Sequence, residues 1–289
     1  MCSSDLDGLD RFKVLCLFDC DVLTESVAAR ILEFQKKGGV IVADERLAPA
    51  IKPDVVVPSC VRTGKAKEDQ QALVDLAVKL QRGLGDRYRP AVTTCRRTAI
   101  PRLRRYGSTD YAFVVNDRRD YGTYVGQHGL VMEAGRPSLA AVTLRRPRGF
   151  VYDLIDGAAV AANTNAADTI DFLLLFGPGE GRVFMVTDRP IGAVKVDAPR
   201  EAKCGATVKV RIEVVDPDDK PVDAVIPLRV DIRDPDGRVA ERTGWYGAKD
   251  GVLDLQLDFA ANDLPGDWEI RVRELASGRR AARFLPLVP

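Results

Sequence analysis

From about Thr109 to the end of the sequence, short runs of strand-forming residues alternate with turn residues, and no stretch has helical periodicity. The runs at 111–115 and 170–176, for example, are followed by turns rich in Asn, Asp, Gly and Pro. Repeated short strands at this spacing are typical of antiparallel β-sandwiches. We interpret residues 190–199, which contain two prolines, as a hinge. The pattern therefore predicts one sandwich before the hinge and another after it.

The alternation is clearest after the hinge. In Thr207–Val215, apolar and charged residues alternate, as they do in a strand with one buried face. Turn signals such as Asp234-Pro235-Asp236-Gly237 separate this strand from later ones. The rhythm over residues 195–289 predicts an immunoglobulin-like sandwich, although the Cys…Trp…Cys pattern of antibody domains is absent from the sequence.

Residues 12–47 have a different pattern. The apolar run Phe12–Phe18 predicts a strand buried on both faces. An amphipathic segment follows, with Thr24 as its candidate cap and Gly38-Gly39 as its stop. Val40–Ala43 then predicts a second buried strand. Strand, helix and strand with short connections predict a βαβ unit whose two strands run parallel.

A second helix is predicted over residues 67–82, and the Arg-rich segment 83–107 is interpreted as mostly connector with a short strand near residues 91–94. The predicted fold is multidomain, α/β plus all-β. The predicted domains are a partial Rossmann-like parallel α/β unit and two antiparallel β-sandwiches, the last immunoglobulin-like, with boundaries 1–107, 108–194 and 195–289.

Two parallel strands alone would have exposed edges and an incomplete helix layer, because open parallel sheets normally carry several strands with helices on both faces. We therefore expect further strands upstream of Met1 and predict that the chain is a C-terminal fragment of a larger protein. The alternative is a natively short α/β subdomain docked on the sandwich.

Two motifs in residues 12–44 resemble a known family. Asp19-Cys20-Asp21-Val22-Leu23-Thr24 leads into the helix, and Gly38-Gly39-Val40-Ile41-Val42-Ala43-Asp44 leads out of it. Both are similar to the glutamine-amidotransferase-like domain that follows the catalytic barrel of some β-galactosidases and related glycoside hydrolases as a trimerisation module. The β-rich remainder resembles the C-terminal sandwich domains of such proteins.

The resemblance implies a non-catalytic accessory region of a glycoside-hydrolase-like protein, used for oligomerisation or for shaping a neighbouring active site. Its implied partners are the upstream catalytic domain of the same protein and further copies of the chain in a homo-oligomer. No cofactor is implied. A second hypothesis is a free-standing carbohydrate-binding or adhesion module.

A third hypothesis is a Cys-dependent amidotransferase-like hydrolase with Cys20 as its nucleophile. Active amidotransferases hold the nucleophile in a Gly-flanked elbow, whereas Cys20 stands between Asp19 and Asp21. The single histidine of the sequence, His128, falls in a predicted turn, although a nucleophilic triad needs a base beside its Cys or Ser. No catalytic residue is therefore carried over from the family.

Four aromatic residues are candidates for stacking on sugar rings: Trp245, Tyr246, Tyr121 and Tyr124. Trp245 and Tyr246 are flanked by Gly244 and Gly247, and this Gly-flanked segment could present both rings. The alternative for all four is a packing role.

The charge balance argues against nucleic acid as the main partner, because 43 Lys and Arg stand against 42 Asp and Glu. We interpret the arginine clusters at residues 96–105 and 145–148 as solvated loops. No membrane partner is expected, since no apolar run approaches the roughly 20 residues of a membrane span. The sequence shows no signal peptide, and the compartment stays open.

No metal site is expected either. The cysteines lack CxxC spacing, so zinc is not indicated. Asp216, Asp218 and Asp219 could supply oxygen ligands to calcium, but Asp-Pro-Asp is also a common turn sequence, and we interpret it as a turn.

Overall fold

The computed structural model describes residues 6–59, 63–126, 129–165 and 167–289, and their side chains except those of residues 66, 67 and 121–133. The chain divides into two compact units, residues 1–90 with 123–131 and residues 91–122 with 132–289. Most of the regular structure is β-strand in antiparallel sheets, which pack as β-sandwiches in the second unit.

The first unit contains a three-stranded parallel sheet of order β1-β2-β3. Its strands and helices are β1 (Val14–Leu17), α1 (Glu25–Lys36), β2 (Val40–Ala43), β3 (Val55–Val56) and α2 (Ala66–Leu84), with 3₁₀ turns at Leu9–Arg11 and Gly85–Arg87. The predicted helices and the parallel pairing of the first two strands are confirmed. Among the described residues, no helix is long and apolar enough to cross a membrane.

Burial in this sheet follows strand position. The central strand β2 is buried at every residue, with Ile41 and Ala43 against the α1 side and Val40 and Val42 in a separate cluster that α2 residues pack against. The prediction that residues 12–18 form a strand buried on both faces is wrong. β1 lies at the sheet edge, and Phe12 and Phe18 are exposed.

The turn after α1 requires glycine at two successive positions. Gly38 has φ 92°, in the left-handed region that side chains disfavour. At Gly39, an added Cβ would meet the ring of Phe34 at 2.3 Å. Because Phe34 belongs to the buried face of α1, this close approach sets how the chain returns from the helix into β2.

The first sandwich of the second unit has two sheets, of order β11-β10-β14-β6-β5 and β12-β13-β9-β4. Residues 83–107, predicted as mostly connector, include two of these strands, β4 and the eight-residue β5. The strands up to residue 187 are β4 (Val92–Thr94), β5 (Ala99–Tyr106), β6 (Thr109–Asn116), β7 (Arg119–Gly126), β8 (Gly129–Gly135), β9 (Ser138–Arg145), β10 (Phe150–Asp153), β11 (Ala158–Val160), β12 (Asn163–Asn165), β13 (Thr169–Phe176) and β14 (Gly181–Thr187).

The core of this sandwich forms where the inward faces of the two sheets meet. Phe172 of β13 and Phe184 of β14 lie with ring centroids 5.0 Å apart. Ala112, Val114 and Val142 are fully buried beside them. Among the described residues, β7 and β8 form a separate two-stranded sheet.

The last sandwich also has two sheets, of order β15-β17-β20 and β16-β22-β21-β18-β19. The segment interpreted as a hinge contains β15, which pairs antiparallel with β17, so it is part of a sheet. The strands are β15 (Ala193–Asp197), β16 (Ala202–Lys203), β17 (Thr207–Val215), β18 (Ile226–Arg233), β19 (Gly244–Ala248), β20 (Val252–Asp258), β21 (Gly266–Glu274) and β22 (Arg280–Val288).

Each sandwich has its own hydrophobic core, and the two sandwiches pack against each other. Tyr152 and Met185 of the first are buried in the hydrophobic cluster of the last. The Tyr111 hydroxyl donates to the Val225 carbonyl at 2.8 Å and accepts from the Val225 amide at 2.7 Å. The Asp223 carboxylate accepts from the Ser108 amide at 2.8 Å. The two sandwiches are therefore joined by apolar packing and by hydrogen bonds, of which those of Tyr111 are partly buried and that of Asp223 is exposed.

The interpretation of the arginine clusters as solvated loops is wrong in part, because β5 contains three of these arginines, β9 contains Arg145, and Arg146 is buried. Arg146 is 7% exposed, and its guanidinium donates to the Asp110 carboxylate at 2.7 Å. Arg105 donates to the other oxygen of Asp110, also at 2.7 Å, and Asp188 is a second partner of Arg146. Arg146 therefore lies in the sandwich interior with Asp110, which is only 2% exposed, whereas Arg105 reaches the same carboxylate from an exposed position.

Candidate functional site

Cys20 lies just beyond the carboxyl end of β1, among carboxylates. Burial raises the pKa of its thiol, and the negative charges of Asp44, Asp19 and Asp21 raise that pKa further. Its Sγ lies 3.4 Å from the Phe18 carbonyl, to which it donates. A nucleophilic cysteine needs the opposite setting, in which cations or an adjacent base stabilise the thiolate. The arrangement favours a neutral, unreactive thiol.

Asp44 organises the loops at this edge of the parallel sheet. Its carboxylate accepts from the Asp19 amide at 3.1 Å, the Arg46 amide at 3.2 Å and the Ser59 hydroxyl at 3.2 Å. Asp44 is buried, so these bonds replace the water that it loses on folding. The motif around Cys20 is thus explained by loop structure without any chemistry at sulfur.

We predict that Cys20 reacts with iodoacetamide at pH 7.5 several-fold more slowly than free N-acetylcysteine, because little of it is thiolate at that pH. Peptide mass spectrometry over a time course measures the rate, and Cys95, which is exposed, serves as an internal reference. Alkylation of Cys20 faster than of N-acetylcysteine would instead support the hydrolase hypothesis.

Three residues singled out from the sequence lie outside what the structure describes. Tyr121 and Tyr124 belong to the backbone of β7, but their side chains are not among the described ones. His128 lies outside the described residues altogether. Their roles stay predictions.

The structure separates the predicted aromatic pair. Trp245 and Tyr246 are consecutive residues of β19, so their side chains point to opposite faces of the sheet. Tyr246 is half-buried against the core, and its hydroxyl donates to the Arg242 carbonyl at 2.6 Å. Trp245 points outward and is 68% exposed. The two rings therefore do not form one platform, and only Trp245 offers its ring to a ligand.

Trp245 is held in place by Arg229 of the neighbouring strand. The two residues are directly opposite in the β18–β19 register, and the Arg229 guanidinium lies 5.0 Å from the Trp245 ring centroid. Asp231 accepts two hydrogen bonds from Arg229, at 2.9 and 2.7 Å, and so fixes the guanidinium. A cation over one ring face restricts the ring and leaves its other face available for stacking.

The register extends this row across the sheet. Arg229 lies opposite Arg273, and Arg273 lies opposite Arg280. We call the outward row Trp245, Arg229, Arg273 and Arg280 the Trp245 face. It combines an apolar ring at the edge strand β19 with planar hydrogen-bond donors on the next strands. This combination suits a ligand that has both an apolar face and many hydroxyl or other acceptor oxygens.

A hollow of 380 Å³ lies elsewhere in the last sandwich, with Trp268 and Phe259 among its lining residues. The two rings are mostly buried and meet edge to face, with centroids 5.0 Å apart. The indole of Trp268 donates to the Leu264 carbonyl at 3.0 Å. Sequence analysis missed this hollow because its lining comes from separate segments, and its aromatic groups are engaged in the core.

The aspartates at the β17–β18 turn behave as turn residues. Asp216 Oδ1 accepts from the amides of Asp218 and Lys220, at 2.8 and 3.0 Å. Arg189 pairs with the Asp216 carboxylate at 2.9 Å. Within the described ranges, no group of three or more His, Cys, Asp or Glu side chains is placed to hold a metal ion.

No protein-family model matches the chain, and no curated protein matches it. Among solved structures, α-L-fucosidase isoenzyme 2 from Paenibacillus thiaminolyticus is 11% identical with a TM-score of 0.44, over 61% of this chain and 40% of that one. An exo-carrageenase from Bacteroides ovatus is 10% identical with a TM-score of 0.30, over 60% and 22%. A superoxide reductase (neelaredoxin) from Ignicoccus hospitalis is 12% identical with a TM-score of 0.24, over 34% and 81%. At these values, the similarities carry no argument about activity, substrate or partner.

Proposed function

We propose that the chain is a non-catalytic accessory region that contacts carbohydrate through the Trp245 face. The observation that carries the proposal is the exposed indole of Trp245, fixed by a cation–π contact with Arg229 at the edge of a sandwich sheet. An indole is well suited to stack on the apolar face of a sugar ring.

The motifs around Asp19 and Gly38 support a finer proposal. They suggest that the first unit is amidotransferase-like and that the region accompanies the catalytic domain of a glycoside-hydrolase-like protein. The parallel order of β1, β2 and β3 is compatible with this relationship. Oligomerisation, the role of such modules in related proteins, belongs to the same proposal, and light scattering of the purified chain tests it separately.

Affinity electrophoresis of the full chain through gels that contain neutral polysaccharides tests carbohydrate binding. We expect retardation by at least one of cellulose derivatives, xylan, galactan, arabinan and mannan. Trp245→Ala should weaken this binding roughly 30-fold, the effect of losing a central aromatic contact in a binding site. The matched control is Phe150→Ala, which removes an exposed aromatic residue from the other sandwich and should bind as the wild type does. Equal retardation of the wild type and Trp245→Ala would contradict the proposal.

A further inference from the structure

The first sandwich contains a hollow lined largely by arginines. It has a volume of 360 Å³ and lies where the turn between β4 and β5 approaches the residues after β6 and the start of β9. None of the lining residues is acidic. They are Arg96, Arg97, Thr98, Arg118, Ser138 and Leu139. We call this site the arginine hollow.

The positive charges of the arginine hollow have no carboxylate partner within the described part of the chain. Arg96 and Arg97 form no ion pair there, and the guanidinium of Arg118 donates to a neutral group, the Pro137 carbonyl, at 3.0 Å. The nearby acid Asp117 is paired with Arg119 at 3.2 Å. Because all three arginines line one hollow, an anion bound there would be attracted by three positive charges.

Ser138 provides an independent observation at the same place. It is 3% exposed, and its buried Oγ has no hydrogen-bond partner among the residues that the structure describes. A buried hydroxyl without a partner is unusual, because it has lost its water and gained nothing in return. The hydroxyl can donate to an anion oxygen. A group that enters the arginine hollow with acceptor oxygens would supply the missing partner.

The backbone around the arginine hollow is fixed by buried hydrogen bonds. The Asn116 side chain is 1% exposed and donates to the Arg136 and Gly177 carbonyls at 2.8 and 2.7 Å. Asn116 Oδ1 accepts from the Arg118 amide at 3.1 Å. The Arg96 carbonyl accepts from the Ala99 amide at 3.1 Å and so closes the preceding turn. Because the backbone is already ordered, binding needs to order only the arginine side chains.

We propose that the arginine hollow binds a tetrahedral oxyanion, sulfate or phosphate, either free or as a group on a larger ligand. Guanidinium groups donate paired hydrogen bonds that match the oxygens of such anions. In this arrangement Arg96, Arg97 and Arg118 donate to the anion and Ser138 supplies a further donor. The proposal does not depend on carbohydrate binding at Trp245.

Equilibrium dialysis of the full chain against radiolabelled inorganic sulfate, and separately phosphate, tests the proposal at constant ionic strength set with chloride. We expect saturable binding of one anion per chain. Arg96→Ala/Arg97→Ala should weaken the affinity at least tenfold. Ser138→Ala should weaken it several-fold without lowering the melting temperature, since Ser138 Oγ makes no hydrogen bond within the described part of the chain.

The control is Arg145→Ala/Arg148→Ala, which removes the same charge. Both control residues are exposed, and Arg145 is at the far end of β9, roughly 20 Å from Ser138 along the strand. Equal weakening in both double variants would mean a general charge effect and would overturn the proposal, as would non-saturable binding by the wild type. Competition by glucose 6-sulfate and by glucose 6-phosphate then shows whether the site prefers the free anion or a sugar ester. If the ester displaces the radiolabelled anion at a lower concentration than the unlabelled free anion does, the preferred ligand is the ester.

Discussion

Arg146→Met should lower the free energy of unfolding of the second unit by about 3 kcal/mol, because it leaves the Asp110 carboxylate buried with less compensation. Asp110 is 2% exposed, and the partner that remains, Arg105, has a side chain that is 62% exposed. Urea denaturation followed by circular dichroism measures the loss. The control Arg145→Met changes an exposed neighbour and should stay within about 0.5 kcal/mol of the wild type.

A second variant shows whether the buried charge is the cause. Asp110→Asn/Arg146→Met removes both charges of the pair, so it should be more stable than Arg146→Met alone, and the double-mutant cycle should give a favourable coupling energy. A loss below about 1 kcal/mol in Arg146→Met, with no coupling, would show that the pair does not hold the sandwich together.

Tyr111→Phe should destabilise the junction of the two sandwiches by about 2 kcal/mol, because the Val225 amide and carbonyl both lose their hydroxyl partner. The measurement is the same urea titration. Tyr106→Phe, which removes a single hydrogen bond to Asp250 from an exposed site, is the control and should lose less. Equal effects of the two substitutions would contradict the bridging role of Tyr111.

Because of the Tyr111 hydroxyl, we expect the stability of the fold to depend on pH. Burial raises the pKa of Tyr111 from 10.0 to about 12. Because the pKa of Tyr111 is higher in the folded than in the unfolded chain, the unfolded chain ionises first as the pH rises. The contribution of the Tyr111 hydroxyl to stability is therefore complete below pH 10 and is lost as the pH rises towards 12. Between pH 9 and pH 11 the wild type should lose about 1 kcal/mol more than Tyr111→Phe. Parallel pH profiles of the two proteins would contradict this expectation.

Local sequence patterns correctly predicted the elements whose burial matches their own apolar pattern. The apolar periodicity of residues 25–36 and the apolar run 40–43 gave a helix and a fully buried strand. The same logic failed for β1, because nothing in its own residues shows that it is the edge strand of the sheet. It also failed for β5, whose arginines and Pro101 look like connector. β5 is likewise an edge strand, where exposed charge and proline are tolerated.

The candidate site was predicted only in part, for a similar reason. Trp245 was singled out from the sequence, but its glycine neighbours suggested a segment that presents the Tyr246 ring beside it. Once the segment is a strand, the two side chains must diverge. The partner Arg229 and the arginine hollow come from residues distant in sequence. The local sequence around Trp245 or around any one arginine does not reveal these contacts.

The central claim is that carbohydrate covers the ring of Trp245, and tryptophan fluorescence tests it most directly. The sequence has two tryptophans. Trp245 is 68% exposed and Trp268 is 8% exposed, so iodide should quench mainly Trp245. With the polysaccharide selected by affinity electrophoresis at saturation, we expect a several-fold lower iodide quenching constant. Bound polysaccharide with unchanged quenching would place the contact elsewhere and contradict the account.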